Sequence, residues 1–216
     1  MSLRKFYWSI KEFLSDSHKK PFSVIAGQDG FYEVRENPLG RIVIRKEVVQ
    51  ELDPIQPGFQ FNLPKIPGIL LETTLAFFRD YCQELESNEV MVTIYYDLRE
   101  NQYLLECPYQ SVNKTRIFAE FDNEYMHNER YVQVLQIHSH NSMHAFFSSI
   151  DDADEKAYML YSVVGRLDQV TPEMLLRVGT NGQFIELPLE YIFEDFMLEE
   201  KEMDFPQEWK ERITIL

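Results

Sequence analysis

Apolar and polar positions change period along the chain, and each change marks an element. Leu71, Leu75, Phe78, Cys82 and Leu85 recur at helical spacing. The spacing predicts a helix over 69–85, with Pro67 near its start and Glu86-Ser87-Asn88 at its end. Residues 89–96, EVMVTIYY, are β-branched and aromatic on both faces, the pattern of a central strand. A polar turn over 97–101 leads to a second strand, YLLEC at 103–107, and TRIFAEF from Thr115 supplies a third. After the polar loop DNEYMHNER, the run YVQVLQIH at 131–138 is a further strand. DDADEKAYM opens a helix, with Ser148 or Ser149 as N-cap and acids at the positive end of the dipole. LYSVVGRL reads as a strand, and MLLRVGTNGQFIEL as a hairpin turning at Asn181-Gly182.

The first 65 residues form a separate extension. FSVIAGQDGFYEV and GRIVIRKEVV are strands joined by glycine-containing turns. Pro54, Pro57, Pro64 and Pro67 then mark a linker or an extended crossing segment. The end of the chain, residues 196–216, is an acidic amphipathic tail, simplest as a solvated face. The elements sum to an α/β (α+β-like) chain: a mixed, mostly antiparallel sheet flanked by helices, with a β-rich N-terminal extension.

The 216 residues are 44% hydrophobic and 14% aromatic, enough for a sizeable core. A net charge of −15 repels phosphate backbones and anionic membrane surfaces, so neither nucleic acid nor membrane is the expected partner. No apolar run approaches the ~20 residues that span a bilayer. The first residues carry charges within their apolar part and no small-residue cleavage site, which argues against a signal peptide and for the cytoplasm. Cys82 and Cys107 lie in apolar periodic segments, as reduced core cysteines do, and no CxxC pair is present.

The candidate chemistry lies in QIHSHNSMHAFFSSIDDADE, Gln136 to Glu155. Alternation along a strand turns His138 and His140 to the same side; if the strand ends at 138, local geometry must place His140. Two imidazoles and Asp151 from the next helix make three ligands, leaving a tetrahedral zinc one open position for water, as catalytic sites do. A carboxylate beside the metal can move protons, and the Ser148 hydroxyl can bond an oxyanion.

His138-x-His140, seven residues, Ser148, two residues, Asp151 resembles the JAMM signature of the MPN-domain (JAB) metalloproteases. The order helix, strand, hairpin, strand ending in His-x-His, helix is similar too, over about residues 66–190. The resemblance implies a catalytic domain over 66–195 with MPN/JAB-like, cytidine-deaminase-like layering. It implies one zinc ion on His138, His140 and Asp151, and Ser148 steadying the tetrahedral intermediate. It implies a glutamate acid/base at the start of the strand after the first helix. Glu89 holds that place, 49 residues before His138; Glu84 and Glu86 belong to the helix end. The chain departs from the pattern at Asn141, where proline is common, and in bulky residues after Glu89 where glycines are common.

The function so implied is a zinc-dependent peptidase or isopeptidase that cuts after the C-terminal tail of a ubiquitin-like or small modifier protein. The alternatives are a non-catalytic MPN-type scaffold and a metal-dependent hydrolase of a small amide. His144 fits no ligand position and reads as a loop residue. Asp152 and Asp154 read as helix-start charges, and Phe146 and Phe147 as walls of the site.

Overall fold

The computed structural model describes residues 4–50, 52–82, 87–121, 123–199 and 203–216. The chain divides into two units, Met1–Pro57 and Gly58–Leu216, so the division falls within the proline-rich segment, ahead of residue 65. In the first unit, β1 (Arg4–Tyr7), α1 (Ile10–Ser15), β2 (Phe22–Gly27), β3 (Gly30–Asn37) and β4 (Gly40–Lys46) build one sheet in the order β1-β2-β3-β4. β1 runs parallel to β2, with α1 as the crossover, and the rest is antiparallel. Tyr7, Phe13, Ile25 and Val34 form its small core.

The second unit opens with β5 (Ile66–Pro67) and α2 (Gly68–Tyr81). Of the residues whose spacing predicts α2, Leu71, Leu75 and Phe78 are buried, with Phe77 beside them; Cys82 is the half-buried C-cap, so the helix ends at Tyr81, short of residue 85. The far end expected for this helix, with Glu84, Leu85 and Glu86, lies outside the described residues. There follow β6 (Met91–Asp97), β7 (Gln102–Glu106), β8 (Tyr109–Asn113), β9 (Arg116–Glu120), a short α3 (Asn123–Met126) and β10 (Tyr131–Ser139). Then come α4 (Ser149–Asp154), β11 (Met159–Gly165), β12 (Glu173–Thr180), β13 (Gln183–Glu186), α5 (Leu189–Ile192) and β14 (Phe193–Glu194). A 3-10 helix, Gln207–Arg212, and β15 (Ile213–Ile215) complete the unit.

Six strands make the central sheet, in the order β13-β12-β11-β10-β6-β7. Only β10 and β11 are parallel; the other pairs are antiparallel. A second sheet, β15-β8-β9, and the small pair β14-β5 stand beside it. The architecture is mixed α and β, mostly antiparallel, with few helices. No helix among the described residues is long and apolar enough to cross a membrane.

The C-terminal residues do more than present an acidic face. Trp209 is 3% exposed, and its ring meets that of Phe77 edge-on at 5.2 Å. β15 pairs with β8 through Ile213, Thr214 and Ile215. An indole fills core volume and a strand satisfies backbone groups, which is why this segment packs instead of trailing in solvent.

Candidate metal centre

β10 delivers the two histidines. A bulge at Val134 inserts one residue opposite β6, after which Leu135, Ile137 and Ser139 face the core. Gln136 and His138 therefore take the opposite face, where they line a cavity of about 660 Å³. β10 is also the strand where the sheet changes direction, antiparallel to β6 and parallel to β11. A parallel pair needs a crossover, and that crossover, residues 140–158, carries His140, Ser148 and Asp151. Ligand sites gather at such strand ends.

The strand end is closed by side chains as well as by the ladder. Ser139 is buried; its N–H donates to the Val90 carbonyl (2.9 Å) and its Oγ accepts the Val90 N–H (2.9 Å). His138 pairs with Met91 in the register, so continuing it sets Glu89 across from His140. Gln110 of β8 holds the next peptide: its amide accepts from Met91 N (2.9 Å) and donates to Met91 O (2.8 Å).

Asp151 is placed by a capping box. The Ser148 Oγ accepts the N–H groups of Ile150 and Asp151, and the Asp151 Oδ2 accepts the N–H of Ser148. That leaves Asp151 Oδ1 facing His138 Nε2 at 3.5 Å. His138 Nε2 and His140 Nε2 lie 3.2 Å apart, and one ligand atom from each of the three residues lies within 4.8 Å of the others. Ligand atoms about 2.0–2.1 Å from a tetrahedral centre sit ~3.3 Å from one another, so the two shorter separations suit a shared ion. Burial lowers the basicity of both imidazoles, against the attraction of Asp151, so each is neutral with a lone pair to offer. The three residues could hold a metal ion.

Glu89 lines the same cavity and is 6% exposed. Burial, then the charge of Asp151, raises its pKa to about 8. A carboxyl so placed titrates close to neutral pH and lies within the cavity where a proton would be exchanged. The Ser148 hydroxyl also lines the cavity; with its oxygen engaged as the cap, its proton is left to donate.

Phe146 joins the wall and stands edge-on to the His140 ring at 4.7 Å. Phe147 turns instead toward Arg177. The His144 side chain pairs with Glu173 at 2.9 Å. Asp152 engages Arg177, and Asp154 lines the cavity. Thr115, Ile117, Phe118 and Gln136, absent from the sequence-derived site, line it as well. All four lie within predicted strands, and Gln136, two residues before His138 on the same face, had alternation as its signal. Arg177 was a lone charge inside the apolar run MLLRVG, a sign of a buried partner.

No family model matches the chain, and no curated protein matches it. Among solved structures, a solution structure of a Desulfitobacterium hafniense protein is 15% identical and covers 63% of this chain and 92% of its own, with a TM-score of 0.38.

Proposed function

We propose that the chain is a zinc-dependent metallopeptidase of the JAMM/MPN kind, holding one ion on His138, His140 and Asp151. The observation that carries this is the convergence of those three donors in one cavity with the buried carboxyl of Glu89 and the Ser148 hydroxyl. A zinc ion there would supply Lewis acidity, lowering the pKa of a water toward ~7 and polarising the scissile carbonyl. Glu89 takes the proton of the attacking water and hands it to the departing amine. Ser148 donates its hydroxyl proton to the developing oxyanion. Met91, Met143, Phe146 and Ile150 give the cavity an apolar wall against which substrate side chains can lie.

The substrate we infer is the extended C-terminal tail of a ubiquitin-like or other small protein, cut at a peptide or isopeptide bond. β9 lines the cavity and is an edge strand of its sheet, so an extended tail can add its backbone there while side chains enter the cavity. Both cysteines are free thiols, which suits a reducing compartment such as the cytoplasm. The test is paired zinc analysis and cleavage of ubiquitin-like fusions beside small amides. Glu89→Gln is expected to keep its zinc and lose about 10²–10⁴-fold in rate. Equal rates for wild type and Glu89→Gln would remove the mechanism.

A further inference from the structure

α4 buries none of its own side chains, yet it carries Asp151 and starts at Ser148. A six-residue helix is not stable alone in water, so something outside it must hold it. Arg177 of β12 is in place to do so. Its guanidinium carbon lies 3.7 Å from the centroid of the Phe147 ring and 3.6 Å from that of Phe184. The cation is thus sandwiched between two ring faces, with its donor edges left open. Nε donates to Glu155 Oε2 (2.8 Å) and Nη1 donates to Asp152 Oδ1 (2.7 Å). Phe147 immediately precedes the N-cap Ser148, and Glu155 is the C-cap. One buried side chain therefore grips the segment before, within and after the helix. Gly179 makes room for the sandwich: a Cβ there would lie 2.8 Å from the Phe184 ring.

We propose that Arg177 is a positioning residue for the metal site, fixing the Phe147–Glu155 segment so that Asp151 meets His138 and His140. The inference rests on the metal-binding function proposed above. Arg177 lies outside the ligand set and holds Asp151 through its bonds to Asp152 and Glu155. Lysine cannot replace it, because an ammonium cannot lie flat between two rings and serve two carboxylates in its plane. Loss of such an outer partner weakens a metal by roughly 10–100-fold.

The test uses the full chain and Co²⁺ as an optical probe, titrated at low temperature where circular dichroism shows each variant folded. Arg177→Lys is expected to bind about 10–100-fold more weakly, with an altered cobalt visible spectrum. Asp152→Asn, at a side chain 52% exposed, spares the core and decides the matter if Arg177→Lys does not fold. It is expected to weaken binding several-fold in the native background and not further in Arg177→Lys. A purely structural Arg177 would lower the melting temperature and leave the affinity and spectrum of the folded protein unchanged. Affinities within two-fold of wild type for folded Arg177→Lys, or for Asp152→Asn where the first does not fold, would overturn this inference alone. A wild type that takes up no Co²⁺ or Zn²⁺ would instead remove the metal site and the inference with it.

Discussion

Asn141, directly after the second histidine, has φ 49, in the left-handed region. Proline is locked near −65°, so the residue common in the resembling motif cannot stand here without a different loop. The loop instead lies against the end of β11. Leu167 N–H donates to Asn141 O (2.9 Å) and Arg166 N–H to Met143 O (2.7 Å). Gly165 permits this approach: a Cβ there would lie 2.3 Å from Met143 O and 2.4 Å from Ala145 N, both backbone atoms. Gly165→Ala must therefore displace the loop that joins His140 to Ser148. We expect it to cost about 1–3 kcal/mol in urea denaturation and to weaken metal binding. Gly58→Ala, where a Cβ meets nothing within 4 Å, is the control and leaves both unchanged. This dependence was hidden in the sequence, because a glycine in LYSVVGRL reads as part of a strand and its neighbour is a loop far from it in the chain.

At the scale of elements, alternation along the 131–138 run puts His138 on the cavity face, because one bulge leaves the alternation after it intact; His140 lies past the end of β10, and the crossover brings it to the same cavity. The missed strand β8, YQSVN, has polar residues where a hydrophobic pattern is sought. Gln110 is buried there for its hydrogen bonds to Met91, not for apolar area, and pattern reading cannot see that role. The short α4 follows from its cap and acidic first turn, whereas its Arg177 anchor needed the fold. The turn after β6 carries its own electrostatic lock. Arg130 grips Asp97 through Nε at 2.9 Å and 3.0 Å, and the N–H groups of Arg99 and Glu100 donate to the same carboxylate. Arg130 first, then those N–H groups, holds the Asp97 carboxyl well below the usual range. A depressed folded pKa means stability present above the unfolded value of about 3.9 and lost as pH falls below it. Melting temperature should therefore hold above about pH 5 and fall below pH 4. Asp97→Asn should melt lower at pH 7 and show a shallower acid-side fall; parallel curves would refute the assignment.

At the scale of the molecule, the helix-then-strands order from Ile69 onward was legible because each element carries its own apolar period, although the core they share draws on residues from Ile66 to Trp209. The role of the last residues was not, since the acidic run around Trp209 masks a single buried indole. Trp209→Ala should cost about 3–5 kcal/mol, read as a lower denaturation midpoint for Gly58–Leu216. An unchanged midpoint would place the indole outside the cooperative core. The β-rich extension has its own sheet and core, and its edge strand β4 exposes Ile42, Val43 and Ile44. The charge of −15 remains a statement about which partners are repelled. The chemistry depends on a smaller fact, the meeting of two imidazoles and one carboxylate. Its most direct measurement is metal stoichiometry by equilibrium dialysis of the full chain against zinc, for wild type and His138→Ala. One ion per wild-type chain, and none retained by folded His138→Ala over the same range, is the predicted result. No ion on the wild type, or equal retention by both proteins, would contradict it.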